Sequence, residues 1–420
     1  MESCNTKSSL DLPLESLSLQ PFLQSLHKEQ WQEVRLGEVA EIVNGYAFKS
    51  KEFLNIQQRD SLPIIKIKNV ANGDVNLNDV VFYPYSKQLE KFLIKYGDIL
   101  VSLTGNHPQA QSQVVGQISK YKYKQFALLN QRVAKIVTKD AEQDFLYYLL
   151  KTNKIHNILA SHSSGSANQA NISSKDIENL TIPLPPLTTQ QKIAEILSSF
   201  DDKIDLLHRQ NKTLESLALT LFRHYFIDNP KRDEWEEKPL KYFGNIICGK
   251  TPPKNQKEYF NGTYPFIKIP DMHNNVFVFQ TADSLTQQGL DSQKAKTLPP
   301  FSVCVSCIAT IGVVSMNANI AQTNQQINSI VPYKECYRYF LYCSMKSSFD
   351  ELEAMASGGT ATANLNTTDF SNMKLLLPRE KEILRFHTET LPFFDKIYNN
   401  TKQIQNLQAM RDMLLKAIFA

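Results

Sequence analysis

Few residues of this chain have types and spacing that could do chemistry, and most of those fail a test of context. Gly244 to Thr251 (GNIICGKT) satisfies GxxxxGK[ST], the pattern of a loop that wraps nucleotide phosphates in backbone N–H groups and a lysine. Such a loop leaves a buried strand and opens a helix whose N-terminus faces the phosphates. Here KPLKYF (238–243) does not read as a buried strand, and Pro252-Pro253 stand where a helix should be running. A P-loop ATPase is therefore the weaker reading. Leu298-Pro299-Pro300-Phe301 is the nearest approach to the Asn/Asp-Pro-Pro-aromatic motif of adenine methylation, but leucine cannot accept a hydrogen bond from the adenine amino group. Cys304 and Cys307 form a lone CxxC in a strand-like run, on opposite faces. Zinc would need a second pair at suitable spacing, which Cys336 and Cys343 do not offer. The chain reads as non-catalytic, with no metal site.

What remains suits binding. Lys120, Lys122 and Lys124 alternate with Tyr121 and Tyr123, so a strand here would carry three ammonium groups on one face. A phosphate track and a lysine-guarded edge strand account for them equally well. Lys66, Lys68 and Lys268 follow apolar strands near their exits, and Arg132, Lys250 and Lys254 add further cations. Gln131 and Gln325 end two Asn-Gln pairs, while Ser164, Asn168, Gln169, Thr360 and Thr362 sit in loops rich in amide and hydroxyl groups. Amides pair with adenine, and lysine or arginine with guanine, so these sixteen residues are the candidate DNA-binding set. Ordinary turn chemistry explains the short polar ones as well.

The elements that must position these residues come in two copies. WQEVRLGEVAEIVNG (31–45) returns as WEEKPLKYFGNIICG (235–249), which places Gly45 opposite Gly249. PIIKIKNV (63–70) matches PFIKIPDM (265–272), DILVS (98–102) matches SVCVS (302–306), and Asn130-Gln131 matches Asn324-Gln325. From Asp176 onward the offset is constant: Pro185 faces Pro378 and Asp202-Lys203-Ile204 faces Asp395-Lys396-Ile397. Each copy is a mixed, strand-rich globular part followed by a polar helical part. FLYYLLKTNKIHNIL (145–159) reads as one helix within the first globular part.

Thr188 and Gln191 have the spacing of a capping box, at the start of a helix of about 38 residues and roughly 57 Å. Its apolar seam runs Ile193, Leu197, Phe200, Ile204, Leu207, Asn211, Leu214, Ala218, Leu221 and Tyr225, alternating steps of four and three without a break. Asn211 is the polar member, at a position where a buried amide fixes register. The second copy has Phe393, Ile397, Asn400, Ile404, Leu407, Arg411, Leu414 and Ile418, with Pro392 expected to start or kink it. The two seams are expected to pair with each other. A coiled-coil scaffold without DNA specificity is the other alternative that this leaves open.

Length and composition fit such a plan. Four hundred and twenty residues of 47.9 kDa exceed one ordinary core, and 42% hydrophobic with 21% charged residues exclude disorder and fibrous classes. The net charge of +4 permits nucleic acid without demanding it. In 31–187 eighteen basic residues face fourteen acidic ones, and in 235–378 twelve face eleven, so any DNA footprint must be a local stripe. Six cysteines and no signal peptide at Met1–Leu10 point to the cytoplasm, and the apolar run 301–316 is too short to span a membrane.

The order of a tryptophan-led unit, IPLPPLTTQQKIAEIL (182–197) with DDKID (201–205), a long helix, and a second such set resembles the specificity subunit of Type I restriction–modification systems over 31–420. Two departures are that LPREKEIL (377–384) lacks the second proline and the TTQQ, and that 1–30 has no counterpart. The resemblance implies an α+β fold with two mixed target-recognition domains separated by two long antiparallel coiled-coil helices. The segments would be an amino-terminal extension (1–30), recognition domain 1 (31–187), a central helix (188–229), recognition domain 2 (230–378) and a carboxy-terminal helix (379–420). Each domain would read one half of an asymmetric, bipartite double-stranded DNA site. The helices would set the spacer and dock two modification subunits carrying S-adenosylmethionine, with two restriction subunits carrying ATP and magnesium completing the complex.

Overall fold

The computed structural model describes residues 20–70, 74–105, 115–163, 170–357 and 363–420. Ser164, Asn168, Gln169, Thr360 and Thr362 lie outside the described residues. The chain divides into two compact units, 1–202 with 409–420, and 203–408. The last twelve residues thus belong with the first unit.

The repeat seen in the sequence is repeated in the topology. In the first unit a four-stranded antiparallel sheet has the order Ala40–Asn44, Val133–Thr138, Ile99–Ser102, Ile118–Lys120. In the second, Gly244–Cys248, Ile327–Pro332, Val303–Ser306 and Val314–Asn317 follow the same order, and Phe277–Val278 adds a fifth strand. A parallel pair stands beside each sheet: Ser61–Ile65 with Ala127–Leu129, and Phe260–Ile267 with Gln322–Thr323. A short ladder closes each unit, Gln32–Arg35 against Thr181–Leu184 and Glu236–Pro239 against Lys374–Leu377.

The central strands are buried on both faces, which is why they read as continuous apolar runs. Leu100 faces one cluster with Ile65 and Leu129, while Leu103 faces another with Phe145 and Ile155. Cys304 and Cys307 split in the same way between two cores, and burial pushes each thiol up to about 11. They are apolar filler, matching the leucines they replace.

Local expectations needed three corrections. The 145–159 helix is two helices, Gln143–Leu150 and Asn153–Ser161, because Thr152 stops the first and caps the second, its hydroxyl accepting from Ile155 N. The first long helix spans Leu187–Phe222, so Thr188 lies inside it and cannot be its N-cap. Buried Gln190 instead ties the helix start to its surroundings, donating to Pro185 O at 2.8 Å and accepting from Glu142 N at 2.9 Å. The second long helix, Glu380–Phe419, passes through Pro392, so that proline does not start it.

Seam residues divide between two tasks. In the second unit Ile204, Leu207, Ile404 and Leu407 form a small cluster of their own. Tyr225 meets Glu389 and Asn211 meets Asn400, so within this unit the helices run antiparallel. Leu214, Leu221, Phe393 and Ile397 pack instead on the core of the second globular part. In the first unit Ile193, Leu197, Phe200 and Leu414 join the core of the first globular part. These seams therefore bury against sheets and helices, not only against each other. Among the described residues no helix is long and apolar enough to cross a membrane.

Candidate nucleic-acid interface

The two copies converge on one feature, a turn that closes over a glycine. Gly45 N donates to Val133 O at 3.2 Å and Tyr46 N to Leu129 O at 2.8 Å. Asn130 N donates to Ile65 O at 3.2 Å, and Val133 N to Asn130 O at 2.9 Å. In the second unit the matching bonds are Gly249 N to Ile327 O at 3.0 Å, Lys250 N to Thr323 O at 2.9 Å, Asn324 N to Ile267 O at 3.1 Å and Ile327 N to Asn324 O at 3.2 Å. Both glycines are required by contact. A Cβ on Gly45 would lie 2.1 Å from Asn130 O, and one on Gly249 would lie 2.1 Å from Asn324 O.

This geometry disposes of the P-loop reading. Gly244–Cys248 is a strand paired with Ile327–Pro332, and the space against Gly249 that a phosphate would need is filled by the Asn324 carbonyl. The Lys250 amide is already spent on Thr323. Leu298-Pro299-Pro300-Phe301 is likewise structural: Ser302 Oγ and Asn317 Nδ2 both donate to Pro299 O at 2.8 Å, holding the entry to Val303–Ser306.

The side chains on the two turns are exposed and differ. The first unit presents Tyr46, Gln131 and Arg132, and the second presents Lys250 and Gln325 beside half-buried Gln326. Tyr46 leads an aromatic run, 5.0 Å from Phe48 and 5.2 Å from Phe92 between ring centroids. Thr251 Oγ1 donates to Gln325 Oε1 at 2.8 Å and orients that amide. Tyr46 was missing from the residues singled out in the sequence, although its place opposite Lys250 in the repeat was the signal for it.

The other candidates fare unevenly. Lys66 and Lys268 occupy matching places, each backbone N–H donating to a side chain three residues on: Asn69 at 3.0 Å and Asp271 at 2.8 Å. The Lys66 ammonium lies 4.3 Å from the Phe53 ring centroid, and burial, then Lys68, lowers its pKa. Lys268 is held by Asp283. The three-lysine face does not form. The strand ends at Lys120, whose ammonium donates to Asp144 at 2.7 Å, and Lys122 pairs with Asp74 at 2.9 Å. Lys68, Lys124 and Lys254 are exposed, with no ion pair among the described residues.

The family model for the Type I restriction modification DNA specificity domain matches this chain twice, over 28–216 and 232–409. The chain belongs to that family. It is a specificity subunit of a Type I restriction–modification complex, the component that recognises DNA and works with other subunits. The HindI specificity subunit of Haemophilus influenzae is 35% identical over 348 residues, covering 65% of this chain and 75% of that protein. The MjaIX specificity subunit of Methanocaldococcus jannaschii is 26% identical over 392 residues, covering 86% and 89%. The solved S subunit from M. genitalium aligns over 93% of this chain and 96% of its own with a TM-score of 0.57, at 16% identity, a likeness of fold. Neither the nucleotide-binding reading nor the scaffold reading finds support beside this family membership.

Proposed function

We propose that each globular part of this specificity subunit reads one half of a bipartite, asymmetric double-stranded DNA site and that the chain performs no chemistry itself. The observation that supports this most is the pair of duplicated turns. Four backbone bonds of one turn recur in the other, while the exposed side chains on them differ. Twofold-related copies with identical surfaces would read a palindrome; copies with different surfaces read two different half-sites. The long helices set the unread spacer and dock two modification subunits, which supply S-adenosylmethionine for adenine methylation. Two restriction subunits bring ATP and magnesium.

Sequencing the methylated sites left by the chain co-expressed with its modification subunits tests the proposal. Two unlike half-sites at a fixed gap are expected. A palindrome, or methyl transfer by the purified chain alone, would overturn it.

A further inference from the structure

We infer that Arg132 and Lys250 are specificity-determining residues, each reading one guanine, in different half-sites. This rests on the proposed reading of DNA by the two globular parts and carries it to single positions.

Three observations converge on them. The first is rigidity. The glycine contact and the four matched backbone bonds fix the origin of each side chain, and pre-set geometry is what discrimination between bases requires. The second is difference. Gln131 and Gln325 are common to both turns, whereas Tyr46 becomes Lys250 and Arg132 becomes Gln326. Each turn thus presents one cation and one shared exposed glutamine, with the cation on opposite sides of the turn.

The third is availability. Lys120, Lys122, Lys135 and Lys268 are each held by an aspartate, and Lys151 also stands near one. Arg132 and Lys250 are exposed and have no ion pair among the described residues. A cation left unneutralised on a rigid turn beside an amide donor suits a base edge that offers only acceptors. In the major groove that edge is guanine, with O6 and N7 side by side. Gln325 strengthens the assignment in the second unit, because its Oε1 accepts from Thr251 and its Nε2 has no hydrogen-bond partner among the described residues.

The test uses the full chain assembled with its modification subunits, selecting from a pool of randomised duplexes. The wild-type complex returns a reference motif. Arg132→Ala should relax one guanine in one half-site, and Lys250→Ala one guanine in the other. Each loss of discrimination should be about 5- to 150-fold, the span of a good side-chain–guanine pair. Arg132→Lys and Lys250→Arg should keep the guanine, with altered strength. An equal fall in affinity for all sequences would mean phosphate contact and would overturn the inference. So would an unchanged motif in both alanine variants, or relaxation of the same half-site by both. A wild-type complex that selects no motif would sink the proposed function instead.

Discussion

The side-chain amide of Asn400 donates to Asn211 Oδ1 at 2.9 Å, and Asn211 in turn reaches the Thr401 hydroxyl at 3.3 Å. Two polar residues in opposing apolar seams satisfy each other, and Asn400 is only 1% exposed. A one-heptad slip would separate them, so the pair selects this register.

Asn211→Leu should lower stability by about 1 kcal/mol, because Asn400 keeps a second acceptor, Gln210, at 3.3 Å. Asn211→Leu with Asn400→Leu should melt above the single variant, since two apolar residues replace two amides. Thermal unfolding of the three proteins checks the order. A double variant that melts below Asn211→Leu would contradict it.

The carboxy-terminal residues complete the core of the first unit. Phe419 lies 5.7 Å from Phe145 and 6.5 Å from Trp31 between ring centroids, and Lys28 donates to Ala417 O at 3.1 Å. Phe419→Ala should cost roughly 3 kcal/mol and should raise hydrogen exchange in Gln143–Leu150. Exchange in the second globular part should stay unchanged.

His387 should make stability depend on pH. Its ring stacks on Tyr339 at 5.1 Å and its Nδ1 is buried without a hydrogen-bond partner among the described residues. Burial, then the nearby Arg338 charge, lowers its pKa, against opposing pulls from Glu335 and Asp395. The folded state therefore prefers the neutral ring. The stability this contributes is present above the ordinary histidine value, ~6.5, and is lost as pH falls through and below it. Melting temperatures between about pH 7.5 and 5 should fall for the wild type and fall less for His387→Phe.

Both long helices carry chain between the units, because the second unit takes the chain up to Gln408 and the first resumes at Ala409. A seven-residue insertion in the first helix alone would put the seams out of step. Matched seven-residue insertions in both helices keep the heptads and add ~10 Å, about three base-pair steps. Methylated sites should then keep their half-sites and gain a longer gap. Altered half-sites with an unchanged gap would show that the helices do not set the spacer.

The duplication, the heptad seam with Asn211, and the failure of the P-loop pattern were all legible in the residues, for a local reason. Repeats, 3.5-residue periodicity and proline placement are properties of short stretches. The pairing of Gly45 with Asn130 and of Gly249 with Asn324 was visible only as two coincident matches, since contact across some 80 residues is settled by sheet topology. The lysine stripe shows the other limit. Alternation at Lys120, Lys122 and Lys124 looked like an open cationic face, yet Asp144 and Asp74, distant in the chain, neutralise two of the three. The carboxy-terminal seam through Leu414 and Ile418 predicts helix pairing, and only the tertiary structure places those two residues, with Phe419, in the first core. Periodicity tells which face of a helix is buried; what covers that face depends on which apolar surfaces the rest of the chain brings to it.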